Sequence, residues 1–432
     1  MFDESRLNMF LAPREITNWQ DEQLSWKTSC FLHAGLSVSG TFRVTGPDAE
    51  RMFSDIAVNN VARVRVGAST HLIMCSDRGR IMGHGMLLRE GEQRFLTVVH
   101  PMHVPYAAES GKYDVEVEDL SGTRFIFQVA GPRSLEVIEA ALREDLHDLR
   151  FLRHRPAGPG SRHLGVTGGE LSVIRLGMSG TLAYEVHGAV EDAAVVYEAL
   201  MAAGEPFGIR ALGSSVYLNA LHTETGFPNE YIHFAPAFGD DPGMMDFLNR
   251  TGLLMLPALH GSLGDDLADR YVTPYDVGWG HMVKLDHDFK GRAALEAIAG
   301  APPRGLVTLV WNPDDVLEVG RSLYEPGAAR TFMRMPADDR IQGGVPRLYN
   351  DQVLRGGAVV GMSTGRMYSW YYREMLSLGV LDSELTAPGT EVTVLWGEPG
   401  THQKEIRAVV ARYPYLDLER NEKVDVSAIP TL

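Results

Sequence analysis

The sequence predicts an α+β protein made of two related units and a strand-rich carboxyl-terminal part. Three observations carry that expectation. Between residues 41 and 130 the runs GTFRVTG, HLIMCS, MLLRE, RFLTVV, DVEVEDL and FIFQVAG follow one another with gaps too short for parallel crossovers, so they read as antiparallel strands around the helix PDAERMFSDIA. The pattern then returns: AGPRSLEVIEAAL opens a helix after a strand, LSVIRLGM and LAYEVHG read as paired strands, and EDAAVVYEALMAAGEPFG and SSVYLNALHTETG read as helices. After residue 303 the Gly-separated apolar runs RGLVTLVWN, GAVVGMSTG, LSLGVL, GTEVTVLWG and EIRAVVARYPY predict a small β-barrel or sandwich.

Taken in order, these elements place a first α+β unit at 1–130, a second at 131–303 and a barrel domain at 304–432, with the last boundary at GAPPRG. The segments VTGPDAERMF and VAGPRSLEVI are similar enough to suggest that the two units arose by duplication. Inside the second unit, residues 227–262 mix aromatics, proline, glycine and acids without a sustained period. Long irregular stretches in compact proteins usually serve function, so an active-site loop is expected there.

Composition narrows the partners. A chain of 432 residues is too long for one ordinary core, and 44% hydrophobic with 22% charged residues is the balance of a globular protein. A net charge of −16 gives no long-range attraction for nucleic acid or anionic lipid, so a small molecule is the expected partner, with no nucleic acid and no membrane. Cys30 and Cys75 read as buried free thiols in a reducing compartment. The start MFDESRLNMF lacks a long apolar core and no run of 18 apolar residues occurs, so a cytoplasmic protein is expected. A homodimer is compatible with these numbers, but no pattern demands one.

Within IRLGMSGTLAYEVHG, a carboxylate stands in an apolar strand. Alternation puts Ala183, Glu185 and His187 on one face and Leu182, Tyr184 and Val186 on the other, so Glu185 points either to solvent or to something that needs an anion. The ordered segments DAERMFSDIAVNNVARVRVGASTHLIMCSDRGRIMGHGMLL, FQVAGPRSLEVIE, IRLGMSGTLAYEVHG, FKGRAAL, VVGMSTG and PGTEVTV resemble the aminomethyltransferase (glycine cleavage T-protein) superfamily over nearly the whole chain. NWQDEQLSWKTSCFL, DLADRYVTPYDVGWGHMVKLDHDFKGR and GTEVTVLWG look most like its tetrahydrofolate-dependent aromatic O-demethylases, which act on vanillate and syringate.

The resemblance implies two related α+β units and a carboxyl-terminal β-barrel around a central channel that holds tetrahydrofolate. It implies that Glu185 accepts from the pterin's 2-amino and N3–H donors, with Arg175 and Tyr184 in support and Phe247 against the flat ring system. The sequence also departs from the family. Ala107 and Ala108 stand where the T-protein carries an aspartate, so an aminomethyl-lipoyl carrier is not expected as substrate. His100 stands where the demethylases carry an arginine, and a neutral imidazole makes no bidentate clamp on a benzoate, so vanillate itself is not expected either.

Tyr231 or His233 would replace the family's proton donor to the leaving phenolate, with His100, His222 and Glu224 as further acid–base candidates. His100 and His103 lack a third ligand, so no metal is expected. The leading expectation is an O-demethylase that moves a methyl group from a methoxylated lignin-derived aromatic to tetrahydrofolate. One alternative is a lyase of the same fold that releases formaldehyde from a hydroxymethyl group without folate. Another is a non-catalytic folate-binding protein.

Overall fold

The computed structural model describes residues 8, 11–37, 40–99, 102–169 and 171–430. Three sheets organise the chain. A five-stranded antiparallel sheet runs in the order Ser69–Cys75, Ile81–Gly91, Arg94–Val98, Thr41–Thr45, Glu116–Asp119. A six-stranded sheet runs Arg210–Ala211, Phe31–His33, Arg124–Ala130, Ala183–Ala189, Ser172–Ile174, His154–Pro156. In the third, Val345–Arg355, Ala358–Ser369, Glu374–Asp382, Arg304–Trp311, Lys404–Ala411 and Glu391–Trp396 pair in turn, and the last closes on the first through Val353↔Val394 and Leu354↔Thr393. Of the barrel and the sandwich, the chain forms the barrel, which removes the exposed edges an open sheet would leave.

Sheet pairing cuts across the boundary expected at residue 130. Arg124–Ala130 pairs along its whole length with Ala183–Ala189, and Phe31–His33 lies on its other side, because their apolar faces cover the helices Ser134–Leu142 and Ala193–Gly204. The similarity of VTGPDAERMF and VAGPRSLEVI is also structural. Gly46 and Gly131 both adopt φ +132°, and a Cβ there would lie 2.5 Å from Asp114 O and 2.4 Å from Ser29 O respectively. Asp48 and Arg133, which cap the helices that follow, share φ −98° and ψ 6°. In each unit a glycine lets the strand end pass a neighbouring backbone before the helix begins.

One helix lies inside the stretch read as strands. Pro313–Arg321 is capped by Asn312, whose Oδ1 accepts from the amides of Asp314 and Asp315 at 3.1 and 3.2 Å.

Past the barrel, residues 413–430 return across the six-stranded sheet. The Arg175 guanidinium donates to Asn421 Oδ1 at 3.1 Å and to the carbonyls of Asn421 and Val424 at 2.7 and 2.9 Å. Asn421 Nδ2 donates to Ala183 O at 3.0 Å, and Val426 enters the core beneath the sheet. Among the described residues, no helix is long and apolar enough to cross a membrane. Cys30 and Cys75 are free and buried, and burial pushes the Cys30 thiol up to about 12.

Candidate active site

A cavity of about 940 Å³ is lined by both smaller sheets, the segment around Trp279 and the returning tail. Glu185 and Gln128 form its polar end. They are register partners on adjacent antiparallel strands, and Gln128 Nε2 donates to Glu185 Oε1 at 3.4 Å. His187, two residues along on the same face, donates from Nε2 to Glu185 Oε2 at 2.9 Å. Glu185 is only 4% exposed, and Gln128 Oε1 is buried with no partner among the described residues. Gly177 keeps the wall open here: a Cβ would stand 2.4 Å from Ala183 Cβ and 3.4 Å from Gln128 Nε2.

The other end is aromatic. His71 and His84 project from the hairpin Ser69–Cys75 and Ile81–Gly91, and Phe227 and Trp279 close around them. The His71 centroid lies 4.6 Å from Trp279 and 5.6 Å from Phe227, and that of His84 lies 4.9 Å from Trp279. The two imidazoles meet through His71 Nε2 and His84 Nδ1 at 3.0 Å, and His84 Nε2 lies 2.8 Å from Asn229 Oδ1. Burial pushes His71 down to about 3, so it is neutral at ordinary pH. Arg63, Arg65, Arg153, Lys284 and Arg420 also line the cavity, with Glu422 among them; Arg63 pairs with Asp286 and Arg420 with Glu422, and the lining away from Glu185 is net cationic, Arg63, Arg65 and Lys284 being exposed.

Of the residues singled out from sequence, Glu185 lines the cavity. Tyr184 faces the other way into the core with Leu135 and Val186, as strand alternation requires. Arg175 is buried and spent on the tail rather than on the cavity, and it acts there only through Asn421. Phe247 packs on Tyr106 at 5.5 Å in a separate cluster with Met244 and Leu348, which also takes in Tyr231. Phe227 and Asn229 line the cavity, whereas Tyr231, His233 and Phe247 do not.

His233 accepts the Asn229 amide at Nδ1 over 3.1 Å and is packed under Gly365. His222 faces the Phe227 carbonyl at 2.9 Å, closing its own helix end. Glu224 is fully buried, ion-paired with Lys27 and accepting from Ser369 Oγ at 2.6 Å, which is an anchoring role. His100 lies outside the described residues.

Sequence reading passed over His71, His84, Gln128, Asn229 and Trp279. A signal for the first two was present: they flank the turn CSDRGRI, and two strands joined by so tight a turn bring a histidine from each together.

Fold and cavity together define a small-molecule-binding protein in which two α+β units and the tail that follows a closed barrel line one chamber. The GCVT N-terminal domain family matches residues 12–230. The chain is 41% identical over 430 residues to sesamin methylene transferase of Sinomonas sp., covering 97% of this chain and 93% of that one. It is 29% identical over 440 residues to syringate O-demethylase of Sphingobium sp., covering 96% and 92%. The fold matches the glycine cleavage system aminomethyltransferase T of Bartonella henselae with a TM-score of 0.65 at 17% identity, over 93% of this chain and 91% of that one. The protein belongs to the aminomethyltransferase (glycine cleavage T-protein) family.

Proposed function

We propose that the protein is a tetrahydrofolate-dependent transferase that takes a one-carbon unit from an aromatic ether oxygen. The observation that carries this reading is the two-ended cavity, with a buried acceptor set on one sheet and a ring-lined chamber on the other. The residues fit the folate. Its pterin presents adjacent N–H donors that a carboxylate accepts as a pair, and Glu185 is held by Gln128 and His187 with its oxygens at the cavity wall. The unpartnered Gln128 Oε1 costs about 1–3 kcal/mol until a ligand donor meets it. The cationic outer residues suit the carboxylates of the glutamate tail.

When bound, tetrahydrofolate supplies the nucleophilic amine. The protein's part is orientation: Phe227, Trp279 and the two histidines hold a flat ring so that its ether carbon faces the pterin end, and water is kept out. The relatives' names divide the donor carbon between a methylene and a methyl group, and both sit on aromatic ether oxygens in this reading. The test incubates purified protein with methoxy- and methylenedioxy-bearing aromatics, with and without tetrahydrofolate. Consumption of an ether only when folate is present, with one phenol freed per methyl group or two per methylene and a stoichiometric one-carbon folate, is the expected result. Formaldehyde released from a hydroxymethyl compound without folate would instead establish a lyase. Folate binding without turnover of any donor would leave a binding protein.

A further inference from the structure

The aromatic end contains a hydrogen-bond chain with a direction. The register pairs His71 with Met86 and Ile73 with His84, so both imidazoles leave the same face of the hairpin. His84 Nε2 lies 2.8 Å from Asn229 Oδ1 and 3.5 Å from the Glu230 amide nitrogen; the much shorter contact is to an oxygen that only accepts, so Nε2 carries the proton and the Glu230 amide is left at the edge of bonding distance. His84 Nδ1 is then an acceptor, and the proton between the rings sits on His71 Nε2. That leaves a lone pair on His71 Nδ1. Its near neighbour is Met282 Sδ at 3.3 Å, which has no proton to give.

We propose that His71 is the catalytic proton carrier of this site, and that His84 and Asn229 are positioning residues that hold its free lone pair toward the reacting oxygen. The inference rests on the transfer to folate proposed above. That transfer needs no outside proton. The carbon–oxygen bond breaks with its electron pair left on the aryl oxygen, the amine's lone pair forms the new carbon–nitrogen bond, and the amine proton must end on that oxygen. His71 Nδ1 takes up the proton and returns it to the oxygen, so one group serves both ends. Sharing with His84 spreads the transient charge, and burial keeps His71 neutral before and after.

The test compares wild type with His71→Ala, His71→Gln, His84→Ala and Asn229→Leu on methoxy- and methylenedioxybenzenes whose leaving phenols run from electron-rich to nitro-substituted. On electron-rich ethers His71→Ala and His71→Gln should lose roughly 10²–10⁴-fold in turnover. Nitro-substituted ethers, whose phenolates depart unprotonated, should lose less than about tenfold. His84→Ala and Asn229→Leu should show the same leaving-group trend with smaller losses. Tetrahydrofolate affinity by calorimetry should stay within about threefold, and a downfield proton resonance from the His71–His84 bond should vanish in both alanine variants. Equal losses across the panel, or affinity that falls with turnover, would overturn the relay and make the histidines packing residues. Wild-type protein that binds folate yet cleaves no ether would overturn the transfer reading, and the relay with it.

Discussion

Glu185 and Gln128 face each other across two antiparallel strands, and the amide that donates to the carboxylate has, among the described residues, no partner for its own oxygen. A ligand with adjacent donors therefore meets two prepared acceptors. Glu185→Gln keeps the shape and removes the charge, and should weaken tetrahydrofolate binding by roughly 1–3 kcal/mol. Calorimetric titration giving the same affinity for both proteins would remove Glu185 from the folate site.

Lys27 and Glu224 are an ion pair with almost no solvent contact, and burial holds the Lys27 ammonium below its ordinary range against the pull of Glu224. Lys27→Met strands a buried carboxylate and should cost about 3–5 kcal/mol in urea unfolding. Lys27→Met with Glu224→Gln should recover a large part of that loss, because no charge is left unpaired and the glutamine still accepts from Ser369. A double variant as unstable as the sum of the singles would show that packing, not charge, governs the site.

Asp351 is buried on the barrel strand Val345–Arg355, accepts the Ser262 amide at 3.0 Å, and is pushed by burial up to about 7. The folded state thus holds a proton that the unfolded chain releases near its ordinary value of 3.8. The stability this group contributes is fully present below that value and is lost as pH rises through about 7, at up to about 1.4 kcal/mol per pH unit. Asp351→Asn keeps the acceptor and cannot ionise. Its stability relative to wild type should be near zero at pH 4 and clearly positive at pH 8, and thermal melts that run parallel across that range would refute the shift.

Arg175 binds the tail at three acceptors, so Arg175→Met should weaken its docking by at least about 1.5–3 kcal/mol, the worth of a single charged hydrogen bond. Hydrogen exchange should speed up at residues 421–426 while the barrel strands stay protected, and folate affinity should fall because Asn421 lines the cavity. Unchanged exchange in the tail would mean that its apolar contacts suffice.

The fold was legible because strand alternation and helix periodicity are local: the strand holding Glu185 was placed with its faces in the right order, since Tyr184 and Val186 are apolar and Glu185 and His187 are not. The cavity wall was less so. Tyr231, His233 and Phe247 looked like site residues because they are chemically able and sit in an irregular segment, yet after Asn229 that segment turns inward and builds a core of its own. Arg175 was close to Glu185 in sequence but is drawn away by carbonyls some 246 residues further on. His71 and His84 belong to ordinary strands, and their meaning comes from Asn229 and Trp279, whose approach no local pattern encodes.

Residues 413–422 supply one wall of the cavity, and that gives ligand binding a place in time. A ribosome builds both small sheets and every barrel strand before it reaches this wall. The chamber is therefore completed only by the last part of the chain to be made, and its ligand affinity depends on how firmly Arg175 holds that tail in place.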